Sequence, residues 1–345
     1  MKVTLLGPQR RPTLDKVAAS LNPGGPVATI TAGWQEREPD DDELSRRLGD
    51  RDVNLALYRR WLDVQERDQE FAAAAQAARR VLDELQDIYL LRLDYALRAV
   101  YAIQRRNGRG RLPGAALTGA ALTGAALPGS ALPGAPMTEP ALHGAALAED
   151  ALTGAALTEA LTAVRELDAA HLRRVGEVRG EFYQAWRPQD RPVIAGHRAA
   201  VAGMLGDAAA LVIAGGHVGV LADVLHLFNV GAGLRSPVIA WSAGAMALTD
   251  RIVLFHDRAP QGPGHPEIYG SGLGLVRDLV ALPHARARML LDDAPRMAVF
   301  ARRFAPARCV LLEAGTRVDT GTDGGCPPDT RVLAEDGRVT SLEAA

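Results

Sequence analysis

The sequence predicts an α/β protein with a mostly parallel, doubly wound sheet, interrupted by an inserted helical arm that carries a leucine repeat. Three observations predict it. Short apolar runs at 3–6, 27–30, 209–213, 237–241, 279–282 and 309–312 each break off near Gly, Pro, Ser, His or Glu, as buried strands do at the edge of a sheet. After residue 191 these runs alternate with stretches of helical length, which implies parallel strands covered on both faces. From 36 to 190 the alternation stops and the apolar spacing becomes helical. The expected organisation is therefore N-terminal strands at 1–35, a helical insertion at 36–190, and the α/β core with the candidate chemistry at 191–345.

Length and composition narrow the function. A chain of 345 residues has ample material for a buried core. A net charge of −2 provides no sequence-independent attraction to nucleic acid. Nearly all the basic residues are arginine, with lysine only at Lys2 and Lys16. The eight histidines and two cysteines show no metal-ligand spacing, so no metal or cofactor is expected. Cys309 and Cys326 read as free thiols in a reducing compartment. The N-terminal apolar run is four residues, too short for a signal-peptide core, and no segment has the length of a membrane span. The expectation is a cytoplasmic protein without membrane partners.

In order, Val3 to Leu6 and Val27 to Ile30 are strands ended by Gly7-Pro8 and Ala32-Gly33. Helical spacing of Leu55, Tyr58, Trp61, Leu82, Ile88, Tyr95 and Val100 covers 53–105, and a second helix runs from about Leu157 to Trp186, stopped by Pro188. The pair reads as an antiparallel hairpin serving as a packing arm or lid, or as a surface for a protein contact or homodimer. Between them a leucine or methionine recurs every fifth residue from Leu112 to Leu157. Each five-residue step turns a helix by about 140° and makes no stripe. Pro113, Pro128, Pro133, Pro136 and Pro140 also oppose a helix. Two readings stay open for 112–157: a low-complexity linker, or a small β-solenoid like those of pentapeptide-repeat proteins.

Beyond Pro192 come a helix at 195–205, the strand 209–213, a helix at 218–228, the strand ending at Trp241, and the strand 252–255. A Gly/Pro-rich loop spans 259–274; then follow the strand 279–282, a helix at 295–304 and the strand 309–312. The end reads as a hairpin, 332–334 with 339–340, turned by Asp336-Gly337.

The chemistry concentrates where strands end. In Pro237-Val238-Ile239-Ala240-Trp241-Ser242-Ala243-Gly244-Ala245 a β-branched run meets a serine flanked by small residues, and helix formers follow. That is the pattern of a strand–nucleophile–helix elbow, with Ala240 in place of the usual first glycine. Ile213-Ala214-Gly215-Gly216 puts a double glycine at a strand–helix junction, where backbone N–H groups can approach a developing oxyanion. His284 follows the strand 279–283, and the Glu313 carboxylate follows the strand 310–312.

In order and spacing these features resemble peptidase family S51, the dipeptidase E and cyanophycinase group, within the class I glutamine amidotransferase-like (flavodoxin-like) fold. The matching residues are Gly215-Gly216, Ser242-Ala243-Gly244-Ala245, Gly272-Leu273-Gly274, His284 and Glu313-Ala314-Gly315-Thr316. His284 lies 42 residues after Ser242, and Glu313 another 29 on. The resemblance implies a Ser242–His284–Glu313 triad, an oxyanion hole from the Gly216 and Ala243 N–H groups, and a short aspartyl-containing peptide as substrate. Gly215, His217, Arg286 and Arg288 become candidates for binding it. Three departures separate the chain from the family pattern. His217 replaces the Asn after Gly-Gly, Leu282-Pro283 replaces the cyanophycinase Asp-Gln, and the two arginines do not keep the cyanophycinase spacing. An amidase of the amidotransferase type would carry cysteine at the elbow. The competing reading is a catalytically silent relative that acts as a protein-interaction module through its arm.

Overall fold

The structure is a computed structural model that describes residues 1–9, 13–21, 24–109, 139–258 and 264–343. Five strands run parallel in one sheet: β1 (Val3–Leu6), β2 (Val27–Ile30), β3 (Asp52–Asn54), β4 (Ala210–Ile213) and β5 (Val238–Trp241). Strands β6 (Ile252–Leu254) and β7 (Glu267–Gly270) form an antiparallel pair. Strands β8 (Leu279–Pro283) and β9 (Arg308–Leu312) are parallel, and β10 (Arg317–Thr320) returns antiparallel along β1. Finally β11 (Arg331–Leu333) and β12 (Val339–Ser341) form a hairpin against β9. The six-stranded sheet has the order β10-β1-β5-β4-β2-β3, and the four-stranded sheet β12-β11-β9-β8.

The main sheet is covered on both sides, which explains why its strands are apolar throughout rather than alternating. Along β5, Ile239 and Trp241 face the layer of α1 (Leu14–Leu21) and α2 (Asp42–Arg47), packing with Leu14, Val17 and Leu44. Val238 and Ala240 face the opposite layer of α6 (Pro192–Asp207), α7 (Val218–Leu227) and α9 (Ala243–Leu248). Leu211, Val212 and Ile213 of β4 are at most 1% exposed. Each such side chain contributes about 1.5–3 kcal/mol on burial. β9 is buried from Cys309 to Leu312, and that burial pushes the Cys309 thiol up to about 12. Cys326 is half-buried in a loop. An aromatic disulfide reagent at pH 8 is therefore expected to titrate Cys326 first and Cys309 only on unfolding; two equally fast thiols in the native protein would contradict this.

The arm is an antiparallel pair of long helices, α4 (Gln69–Arg109) and α5 (Glu139–Trp186), entered through α3 (Leu57–Arg67). Leu93, Leu97 and Val100 meet Leu157, Leu161 and Val164 in one apolar cluster, which extends to α11 (Ala294–Phe304). On the outer side Val81, Ile88, Leu91 and Tyr95 leave an exposed apolar stripe. No helix among the described residues is long and apolar enough to cross a membrane.

Four expectations change. Residues 110–138, with the greater part of the leucine repeat, lie outside the described residues, but 139–157 are neither linker nor solenoid: they belong to α5. Pro140 falls in that helix's first turn, where its missing N–H has no intrahelical role, and no proline follows in the repeat. The five-residue spacing makes no stripe even so, with Leu152 71% exposed and Leu157 only 7%. Residues 36–56, expected as the start of the arm, instead supply α2 and the edge strand β3. The Gly/Pro-rich loop at 259–274 contains β7. Strand β10 was not expected at all, because Arg317-Val318-Asp319-Thr320 buries only alternate residues, as an edge strand does.

Candidate active site

Ser242 stands where β5 hands over to α9, with φ 53° and ψ −122°. A side chain in that region costs on the order of 1–3 kcal/mol, held in place only by firm surroundings. They are firm here: β5 is buried along its length, and every residue of α9 is buried. Gly215 packs against the elbow. A Cβ built there would lie 2.9 Å from Ser242 Cβ and 3.3 Å from its Oγ, so the glycine backbone backs directly onto the serine side chain. Gly216 follows with φ 119°, and a Cβ on it would meet the Gly33 carbonyl oxygen at 2.2 Å. The same Gly33 carbonyl accepts the His217 N–H at 2.7 Å. Among the described residues no acceptor takes the N–H of Gly216 or of Ala243.

His284 and Glu313 lie at the ends of adjacent parallel strands. The last paired residues of β8 and β9 are Pro283 and Leu312, so the next residue on each strand is the candidate one. The His284 N–H donates to Leu312 O at 3.2 Å, and His284 itself sits at φ 57°, ψ 33°, turning the chain into α10 (Ala285–Arg288). Glu313 Oε1 accepts the Arg286 N–H at 2.7 Å, which ties the carboxylate to the first turn of α10. A turn closed by Thr316 N–H to Glu313 O leads on to β10, and Thr316 O accepts the Gly7 N–H at the end of β1. Ala245, Ala247 and Leu248 of α9 share one apolar cluster with Leu279 and Ala281 of β8, which joins the elbow to the strand that ends in His284.

The remaining candidates divide. His217 Nδ1 accepts the Val220 N–H at 3.2 Å, so its imidazole caps its own helix α7. The Arg286 guanidinium is exposed and that of Arg288 half-buried, and neither has an acidic partner among the described residues. Burial lowers Arg288 from the usual arginine value. Among the described residues no cluster of His, Cys, Asp or Glu could hold a metal ion.

A cleft of about 290 Å³ that no sequence motif announces lies beside the elbow. Trp241, the residue before Ser242, lines it together with Trp34 from the turn after β2 and Gln9 from the turn after β1. Glu43 and Arg47 of α2 close the other side. Gln35, next to Trp34, holds the same backbone region as Ser242, with φ 58° and ψ −123°. The usable signal was position: Gln9 and Trp34 come within four residues of the ends of parallel strands, where α/β sheets bind ligands.

Replacing Gly215 by alanine is expected to displace the serine side chain. Backbone and side-chain atoms at 2.9–3.4 Å leave the new methyl no room, so reactivity at residue 242 should fall at least tenfold in a protein that still folds. An unaltered rate of fluorophosphonate labelling would show that this contact does not set the serine's geometry.

No protein-family model matches the chain, and no curated protein matches it. Among solved structures the chain is similar to the crystal structure of a peptidase from an acI-B1 Actinobacterium, at 17% identity and a TM-score of 0.28. The match covers 42% of this chain and 61% of that one. A likeness of that size leaves function to the geometry of the site.

Proposed function

We propose that the chain is a serine hydrolase that cleaves short peptides through Ser242, His284 and Glu313, on a core of the class I glutamine amidotransferase-like fold. The observation that carries the reading is the strained Ser242 at the C-terminal end of a central parallel strand, with Gly215 packed against its side chain. Strained backbone held by a well-packed junction clusters at active sites. Ser242 Oγ attacks the peptide carbonyl while His284 takes its proton, and Glu313 orients the imidazole. The oxyanion accepts from the Gly216 and Ala243 N–H groups, neither of which is used elsewhere among the described residues. His284 then protonates the leaving amine, and water, deprotonated by the same imidazole, releases the acyl group.

The substrate in this reading carries an aspartyl or other acidic group beside the scissile bond. Support comes from the S51 motif order and from the two guanidinium groups of Arg286 and Arg288, which lack acidic partners among the described residues. An arginine without a carboxylate is suited to take one from a ligand. The cleft between Trp34 and Trp241 offers room for the residue next to the reacting carbonyl.

Fluorophosphonate labelling with mass-spectrometric mapping tests the nucleophile. Label on Ser242 supports the reading; no label on the folded protein leaves the silent interaction module as the better account. A dipeptide panel tests the substrate: equal turnover of Asp-X, Ala-X and Lys-X would remove the acidic preference while leaving the nucleophile in place.

A further inference from the structure

A second cavity, of about 300 Å³, lies where the arm meets the core and includes none of the residues around Ser242. Its core wall is one stripe of α7: Val220, Asp223, Val224 and Leu227. Those positions fall three and four apart on a single helix face. The opposite wall is aromatic, with Tyr58 and Trp61 from α3, Phe71 from α4, and Phe182 and Tyr183 from α5. Phe71 and Phe182 already pack tilted at 5.3 Å, and Phe182 and Tyr183 at 5.4 Å, so the rings form a fixed surface rather than loose side chains.

The charges at the cavity cancel. Asp223 takes Arg79 on one oxygen at 3.0 Å and Arg179 on the other at 2.9 Å, while Arg79 also pairs with Asp83 at 2.9 Å. With Asp83, which stands just outside the lining, two guanidinium groups meet two carboxylates and leave no net charge for a ligand to neutralise. The space is about twice the roughly 150 Å³ of an engineered apolar cavity that stays dry and binds benzene. We propose that this cavity binds a neutral, planar aromatic molecule of one or two rings, and that the bound ring fixes α7 against the arm. The α7 helix begins directly after Gly216 and His217, so an occupant of this cavity holds the helix that carries the double-glycine turn. The proposal rests on the cavity and stands whether or not Ser242 is a nucleophile.

The test uses the full chain with indole as probe. Calorimetric titration should show one saturable site, weakened at least tenfold by Ala75→Phe on the α4 wall and by Val224→Phe on the α7 wall, which place a ring in the cavity from opposite sides. No saturable binding by the wild-type protein, or undiminished affinity in both variants when folded, would overturn the proposal. Hydrogen exchange on the wild-type protein needs no variant. Indole should slow exchange in α7, including its first turn; binding that slows only the α4 and α5 amides would refute the claim about α7.

Discussion

Ser242→Ala is expected to abolish fluorophosphonate labelling and hydrolysis, and Ser242→Gly to do the same while stabilising the protein. The first outcome follows from removing the proposed nucleophile, and His284→Ala should match it. The second follows from the backbone. At φ 53° and ψ −122° a Cβ is strained, and glycine enters that region without the penalty. Set against the greater freedom glycine gives the unfolded chain, the net gain is about 1 kcal/mol, readable as a higher urea midpoint. Glu313→Gln should slow hydrolysis by about 10³ or more. The amide keeps an oxygen for the Arg286 N–H, so that loss would report on the imidazole rather than on the turn. Hydrolysis by Ser242→Ala at the wild-type rate would end the assignment, and a less stable Ser242→Gly would mean the elbow is not strained.

Much of this site was legible in the sequence because its parts are local. A serine between small residues after Val238-Ile239-Ala240-Trp241, and two glycines after Leu211-Val212-Ile213, each announce a strand meeting a helix within a few residues. The ends of β8 and β9 were legible for the same reason. What escaped depends on contacts between distant segments. That Gly33 would support Gly216, or that Trp34 would join Trp241 across a cleft, has no local pattern. His217 reads as a ligand-facing residue from its place after Gly-Gly, yet its ring turns back to cap α7. The repeat at 139–157 misled in another way. Its period argues against a helical stripe, but Ala- and Leu-rich sequence forms a helix whether or not its leucines share a face.

Asp168→Ala is expected to cost about 3–5 kcal/mol, the largest loss of stability from any single change considered. Asp168 of α5, Tyr89 of α4 and Arg303 of α11 are 5%, 3% and 3% exposed, and they bolt the arm to the core. Arg303 donates Nε to Asp168 Oδ2 and Nη2 to Oδ1, both at 2.7 Å, a two-pronged pair that lysine could not reproduce. Its Nη1 donates to Pro266 O at 2.6 Å. The Tyr89 hydroxyl donates to Asp168 Oδ1 and accepts from Arg303 Nη2 and the Ile268 N–H. Removing Asp168 alone leaves a buried guanidinium without its counter-charge, which costs far more than a lost contact. The Asp168→Leu, Arg303→Met double variant removes both charges and should recover the greater part of the loss. Denaturant unfolding of the two singles and the double measures that coupling. Additive losses would show that burial of the charges is not what makes the single substitution costly. The network ends on Pro266 and Ile268 and includes none of the candidate site residues, so labelling of Ser242 per folded molecule should persist in the double variant even where the arm has loosened.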